Sequence, residues 1–367
     1  MIRFAFDIGG TFTDFVLAAP ELAKSRFLKL LTTPADPSLA VLDGLRRVLG
    51  EMQMTAASVD TILHATTVAT NAIIERKGSP TALITTAGFR DVLIIGRQKR
   101  YEVYDLHMDK PVPLVPRRAI YEVAERVTHT GAVLAALDPV SLEAAIDQVL
   151  AGGFETVAVS LLHSYAHPGH EQAIRARLAE RAPHVAVSLS ADVSPKFREY
   201  ERTSTTVANA YVKPIVARYI GRLQKALAGQ GFQNDLFIMQ SNGGLVSPDI
   251  AREYPVRIVE SGPAAGVLMS AMVGASEGAA QVLSFDMGGT TAKLGAIDDG
   301  EPAITPTIEV DPIRYRKGSG LPLNIPAVEL LEIGAGGGSI AATQMGVISV
   351  GPESAGADPG PIAYGRG

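Results

Sequence analysis

Phe6-Asp7-Ile8-Gly9-Gly10-Thr11-Phe12-Thr13-Asp14 and, far along the chain, Phe285-Asp286-Met287-Gly288-Gly289-Thr290-Thr291 share one pattern. Each is an apolar run, an aspartate, one apolar residue, two glycines and a threonine. The runs on either side read as strands, so each segment is a hairpin turning on Gly-Gly. Such a turn exposes backbone N–H groups, and glycine lets that backbone approach an anion closely. Threonine hydroxyls add hydrogen bonds to phosphate oxygens. An aspartate at each strand end suits Mg²⁺, which keeps much of its water and takes few carboxylates. Two such hairpins facing each other would grip the β- and γ-phosphates of ATP. One copy alone reads equally well as a plain β-turn; two copies of Asp-x-Gly-Gly-Thr make that coincidence a poor account. The candidates are therefore Asp7 and Asp286 as catalytic and metal-binding residues. Gly9, Gly10, Thr11, Thr13, Gly288, Gly289, Thr290 and Thr291 are the candidate nucleotide contacts. No G-x-x-x-x-G-K-[ST] string occurs, so a P-loop has no support.

Outward from the hairpins, strand and helix patterns alternate, which predicts an α/β architecture. Strands are expected over 2–6, 15–19, 81–85, 156–162, 236–240 and 281–285. Asp36-Pro37 and Asp138-Pro139 each combine a capping aspartate with proline at the first helical position. Further helices are expected over 66–77, 170–181, 194–227 and 261–274. Periodicity is weakest over 96–127 and 296–323. The helix after residue 194 is the natural boundary between two halves.

The chain has 367 residues, enough for two or three domains. Hydrophobic residues make up 47% and charged residues 19%, as in globular proteins with a real core. There is no cysteine, which excludes disulfides, thiolate metal sites and a cysteine nucleophile. A net charge of −5 carries no basic footprint for nucleic acid. The first residues lack a signal peptide's long apolar region, and the most membrane-like stretch, 263–276, is too short to span a bilayer. A cytoplasmic protein is expected.

Ahead of the second hairpin stands Glu260-Ser261-Gly262-Pro263-Ala264-Ala265-Gly266-Val267, a helix start followed by small residues that permit close packing. The order of loop, small-residue helix and second loop resembles actin, the sugar kinases and the heat-shock ATPases, where such a helix forms part of an interdomain hinge. Within that superfamily the chain resembles the hydantoinase A/5-oxoprolinase family, with its acetone and acetophenone carboxylase subunits. The strings that carry the resemblance include FDIGGTFTD (6–14), HATTVATNAIIERKG (64–78), EYERTSTTVANAY (199–211), ESGPAAGV (260–267), FDMGGTTAK (285–293) and EIGAGGGSIA (332–341). The resemblance implies actin-like ATPase (ribonuclease H-like) domains: an N-terminal domain over 1–190 and a partial hydantoinase A domain over 191–367. It implies ATP and Mg²⁺ as cofactors and phosphorylation of a carbonyl oxygen, followed by ring hydrolysis or carboxylation. The substrate would be a cyclic amide or a ketone. A hydantoinase B-type partner subunit is implied, and a homo-oligomer is open. Other classes would be an ATP-driven conformational switch of the heat-shock kind or a sugar or acid kinase. The superfamily also implies an adenosine-binding turn and a second hinge helix after the second loop. Only the glycine loop 334–339 follows, about forty-five residues on. The chain therefore reads as C-terminally incomplete, and weak ATP binding is expected of it alone.

Several other residues have two readings. Asp14 would bind metal or cap its turn. Lys293 would neutralise a phosphate or face solvent. His64, Thr67 and Asn71 share one face of the 66–77 helix if it starts that early. His163, His167 and His170 have metal-like spacing, but His167-Pro168-Gly169 reads as a turn. Loop 334–339 would cradle phosphate or serve close backbone packing. Relatives often carry Asp-x-His just before this loop, whereas here the residues are Glu329-Leu330-Leu331-Glu332. Ala363 replaces a frequent cysteine.

Overall fold

In the computed structural model, the described residues are 1–10, 12–19, 25–33, 36–289, 291–356 and 360–365. The first hairpin pairs Arg3–Ile8 with Phe12–Ala18, and Arg26–Leu31 adds an antiparallel third strand. On the other side of Arg3–Ile8, the strands Thr61–Thr66 and Asp235–Met239 run parallel to it. Alternation decides which side is core. Phe4, Phe6 and Ile8 face inward with Phe15 and Leu17, all at most 3% exposed. Helix Pro37–Glu51 and the long helix Glu199–Gly229 contribute Val41, Leu45, Val212 and Leu223 to the same cluster.

A second sheet, Ala186–Leu189, Thr156–Ser160, Thr81–Thr86 and Ile120–Val123, is wholly parallel. Every residue of its two central strands is buried, as expected of a parallel sheet covered on both faces. The long helix touches both cores: Val207 and Ala210 meet Leu83 and Ala158, while Ile220 and Leu223 belong to the first cluster. Asp36 and Asp138 cap their helices as expected, accepting from the Ser38 and Ser141 amides.

The mixed α/β class is as expected. One expected element differs. Residues 61–66 form a strand, and the helix after it spans only Val68–Ile74. His64 therefore does not share a helix face with Thr67 and Asn71. It lies in the core at 1% exposure, stacked on Phe6 with ring centroids 4.4 Å apart. Its Nε2 is 2.7 Å from the Tyr219 hydroxyl, and burial pulls its pKa down to about 3.

In the second half, Val282–Met287 and Ala292–Asp298 form the second hairpin, with Glu301–Pro302 and Leu331–Ile333 along its far edge. Helix Ser261–Ser276 packs on one face. Glycine makes that approach possible, because a Cβ on Gly295 would fall 2.3 Å from Val267 Cγ2. The opposite face, with Leu283, Phe285, Met287 and Leu331, is more than half exposed.

Candidate functional site

The two hairpins are built alike. Gly9 N–H donates to the Phe12 carbonyl at 2.9 Å, and Gly288 N–H donates to the Thr291 carbonyl at 2.9 Å. Asp7 lies opposite Asp14 across the first pair of strands, and Asp286 lies opposite Lys293 across the second. Directly opposed residues share a sheet face, so each aspartate has a charged neighbour beside its loop.

Helix Ser261–Ser276 joins them. The Ser261 hydroxyl donates to the Thr66 carbonyl and accepts from the Thr66 amide, both at 3.1 Å. A Cβ at Gly262 would lie 2.8 Å from Asp7 Oδ2, so glycine is what lets the helix start meet that carboxylate. Burial, then the negative charges of Asp14 and Asp286, push the Asp7 pKa up to about 6, against the pull of Lys29 and Lys293. Asp286, a long way off in sequence, is thus close enough for its charge to bear on Asp7. Asp7 Oδ1 is buried with no hydrogen-bond partner among the described residues. A buried orphan oxygen calls for a ligand, and one set among carboxylates fits a hydrated Mg²⁺. No group of three His, Asp or Glu side chains converges on a ready-made metal cage among the described residues.

The other expected contacts divide. Gly10 faces Asn71, whose Nδ2 would be 3.9 Å from a Cβ at that glycine. Thr67 Oγ1 donates to the Ile8 carbonyl at 3.1 Å, so Thr67 and Asn71 flank the first loop even though His64 does not. Thr13 is completely buried, and its hydroxyl bonds Thr32 Oγ1 at 3.0 Å. Thr32 in turn donates to the Gly9 carbonyl, so Thr13 braces the loop from behind. At the tip of the second hairpin Gly288 is exposed and Gly289 half-buried, and the Thr291 carbonyl closes the turn. Thr11 and Thr290 lie outside the described residues.

Loop 334–339 packs on that second tip. Gly337 and Gly338 N–H groups donate to the Gly288 and Gly289 carbonyls at 2.9 and 2.7 Å. A Cβ on Gly338 would be 3.0 Å from the Gly289 oxygen, so this loop's glycines serve close backbone packing. His163 pairs with Tyr165 at 3.2 Å and His170 with Glu125 at 2.8 Å.

Two residues outside the sequence candidates also border the second hairpin. Glu260, at φ 62°, stands at the N-terminal boundary of the joining helix and forms an ion pair with Lys293. A bulky residue held in the left-handed region is strained and worth noticing. Glu332 lies 3.7 Å from Lys293 Nζ on its other side and opposite it across the strands. Lys293 is thus no exposed lysine. Burial opposes its charge, but Glu260, Glu332 and Asp286 outweigh burial and hold its pKa above the usual value. Burial raises the Glu332 pKa in turn. The three line a cavity of about 530 Å³ beside the second hairpin.

The chain is thus an α/β protein whose two glycine hairpins are built alike, with one small-residue helix packed between Asp7 and the second hairpin. The hydantoinase/oxoprolinase N-terminal region matches residues 3–182 and the hydantoinase/oxoprolinase domain matches residues 202–367. The chain belongs to the hydantoinase/oxoprolinase family. It is 36% identical to the caprolactamase subunit alpha of Pseudomonas jessenii, over 100% of this chain and 52% of that one. It is 31% identical to the 5-oxoprolinase of Saccharomyces cerevisiae, over 100% of this chain and 30% of that one. The crystal structure of the ATP-dependent caprolactamase superposes with a TM-score of 0.84 at 35% identity, covering 99% of this chain and 52% of that chain. Nucleotide-free acetone carboxylase superposes with a TM-score of 0.83 at 27% identity, covering 97% and 51%. The chain thus spans about half the length of the caprolactamase and acetone carboxylase chains. No helix among the described residues is long and apolar enough to cross a membrane.

Proposed function

We propose that this chain is the ATP-handling part of a cytoplasmic cyclic-amide hydrolase that phosphorylates the amide oxygen. The observation that carries the reading is the unpartnered, buried Asp7 Oδ1 at the base of the first glycine hairpin, where the start of the small-residue helix packs against it. A lactam carbonyl is a poor electrophile, and phosphorylating its oxygen makes that oxygen a good leaving group. Phosphoryl transfer asks mainly for positioning and charge neutralisation. With the Gly9 and Gly288 N–H groups closing the two turns, the Gly10 and Gly289 N–H groups are the ones on which phosphate oxygens would rest, and the hydroxyls of Thr11, Thr290 and Thr291 are the further contacts the reading calls for. Asp7 and Asp286 would hold Mg²⁺ through water. When bound, Mg²⁺ neutralises charge on the transferring phosphoryl group. Thr13 and Thr32 keep the first tip in shape.

The domain division at 190/191 follows the same reading, as does a hydantoinase B-type partner. The partner is supported by relatives named as subunits and by the open apolar face of the second hairpin's sheet. A second reading, the ATP-using subunit of a ketone carboxylase, draws support from the likeness to acetone carboxylase. Phosphate release measured with lactams, hydantoins and ketones, with and without bicarbonate and a candidate partner, tests both. Stimulation by cyclic amides alone supports the hydrolase, and bicarbonate-dependent stimulation by ketones supports the carboxylase. Response to peptides only would overturn both in favour of a conformational switch.

A further inference from the structure

We infer that the cavity beside the second hairpin receives an uncharged cis-amide ring, whose carbonyl is held by Lys293 and whose N–H is held by Glu332. This rests on the reading above and adds the substrate class and the groups that recognise it. An open-chain secondary amide is almost always trans, with its C=O and N–H pointing to opposite sides. A small ring forces the cis form, which displays C=O and N–H side by side on one edge. Reading that edge takes one donor and one acceptor placed next to each other. Lys293 Nζ and Glu332 Oε1 stand 3.7 Å apart, too far to bond each other well, on the same face of adjacent strands.

Lys293 has three N–H donors and spends one on Glu260. Glu260 is itself fixed, because its backbone N–H donates to Thr70 Oγ1 at 3.0 Å. Lys293 also lies opposite Asp286 at the base of the second loop. The carbonyl it holds is therefore the end of the ring nearest the phosphate loops, where the oxygen must react. Ile74, Leu294, Ile308 and Tyr315 supply apolar wall for the rest of the ring.

The charge around the cavity selects further. Five carboxylates and two lysines line it, and Arg76 neutralises Asp311 among them. A ring carrying its own carboxylate would enter a field of its own sign. The basic residues Lys99, Lys110 and Lys196 line the adjoining cavity instead, which meets this one at Thr307 and Glu309.

The test is binding by calorimetry without nucleotide, using 2-piperidone, N-methyl-2-piperidone, N-methylacetamide and 5-oxoproline as probes. Piperidone is expected to bind most tightly. N-methylation removes the N–H without changing the protein, and it should cost about 10- to 100-fold in Kd, the size of a hydrogen bond to a charged group. Glu332→Ala should cost piperidone the same factor and leave the N-methyl compound nearly unchanged. That coupling is one a merely structural glutamate would not show. Equal loss for both ligands in Glu332→Ala, equal binding of the open-chain amide, no binding of any lactam, or tighter binding of 5-oxoproline than of piperidone would overturn the inference. ATP binding is measured in parallel. Its absence with the lactam pattern intact would count against the nucleotide reading alone.

Discussion

Replacing Asp7 by asparagine should make the nucleotide-free protein more stable while removing its response to Mg²⁺ and ATP. The Asp7 pKa rises from 3.8 to about 6 on folding, chiefly through burial and then through Asp14 and Asp286. A carboxyl whose folded pKa is raised weakens the fold once it ionises. Below pH 3.8 it is neutral in both states and contributes nothing. As pH climbs through that value the unfolded chain ionises first, and the full loss is reached above pH 6. A shift of about two units corresponds to about 3 kcal/mol at 1.36 kcal/mol per unit. Unfolding entropy of about 2.1 cal/mol/K per residue over 367 residues turns that into a Tm rise of about 4 °C. Asp7→Asn keeps the shape and removes the charge, so its melting point at pH 7.5 should exceed the wild type's by about that much. At pH 4 most of the difference should be gone. Adding Mg²⁺ and a non-hydrolysable ATP analogue should raise the wild-type Tm and leave the variant unmoved, since a bound cation reverses the local charge logic. A destabilised variant at pH 7.5, or a gain independent of pH, would refute the claim that Asp7 is held at a cost for a ligand.

Gly262→Ala places a Cβ 2.8 Å from Asp7 Oδ2 and should cost about 1–3 kcal/mol along with the nucleotide-induced Tm shift. Gly266→Ala, four residues on with nothing within 4 Å of its Cβ, should be neutral or gain about 0.5–1 kcal/mol in the same melts. Gly338→Ala would meet the Gly289 carbonyl at 3.0 Å, so it should weaken ATP binding by titration more than it lowers Tm. His64, with its pKa lowered from 6.5 to about 3 by burial, resists protonation in the folded state. Its contribution to stability is therefore lost as pH falls from 6.5 towards 3. The difference in denaturant stability between wild type and His64→Phe should shrink across that window. At neutral pH the variant should lose about 1–3 kcal/mol through the stranded Tyr219 hydroxyl, and Tyr219→Phe in the same chain should recover part of it.

What was legible in the sequence was local. Gly-Gly after an aspartate, proline after a capping aspartate and unbroken apolar runs each act within a few residues, and those elements form as expected. Thr13 also carried a readable signal. It is in phase with Phe15 and Leu17, and the period of two that buries those residues buries Thr13 as well. Asp14 falls in the opposite phase and reaches Asp7. His64 misled because an apolar strand running into a short helix looks like a longer helix when its sheet neighbours are unknown. Those neighbours are Arg3–Ile8 and Asp235–Met239, and nothing in 61–66 names them. The Glu260–Lys293–Glu332 arrangement was out of reach for the same reason. Its members come from a helix cap and two strands, and only the folded sheet edge brings them together.

The pairing across the two hairpins sharpens what a repeated motif means. The loops repeat, down to the hydrogen bond that closes each tip, but the residue opposite each aspartate does not. At the first hairpin it is a second carboxylate, Asp14, partly neutralised by Lys29 at 2.5 Å. At the second it is a lysine paired closely with Glu260, with Glu332 at 3.7 Å on its other side. On the proposed reading the backbone of both tips would serve the phosphates alike, so the side chains opposite the aspartates would divide the labour. The carboxylate pair would draw a cation to the first hairpin. The ammonium at the second would draw an electron-rich oxygen, and the cavity for the group that carries it would be the one Lys293 lines. A repeated loop with an unrepeated partner would thus give the proposed site a direction, with metal towards Asp7 and acceptor towards Lys293.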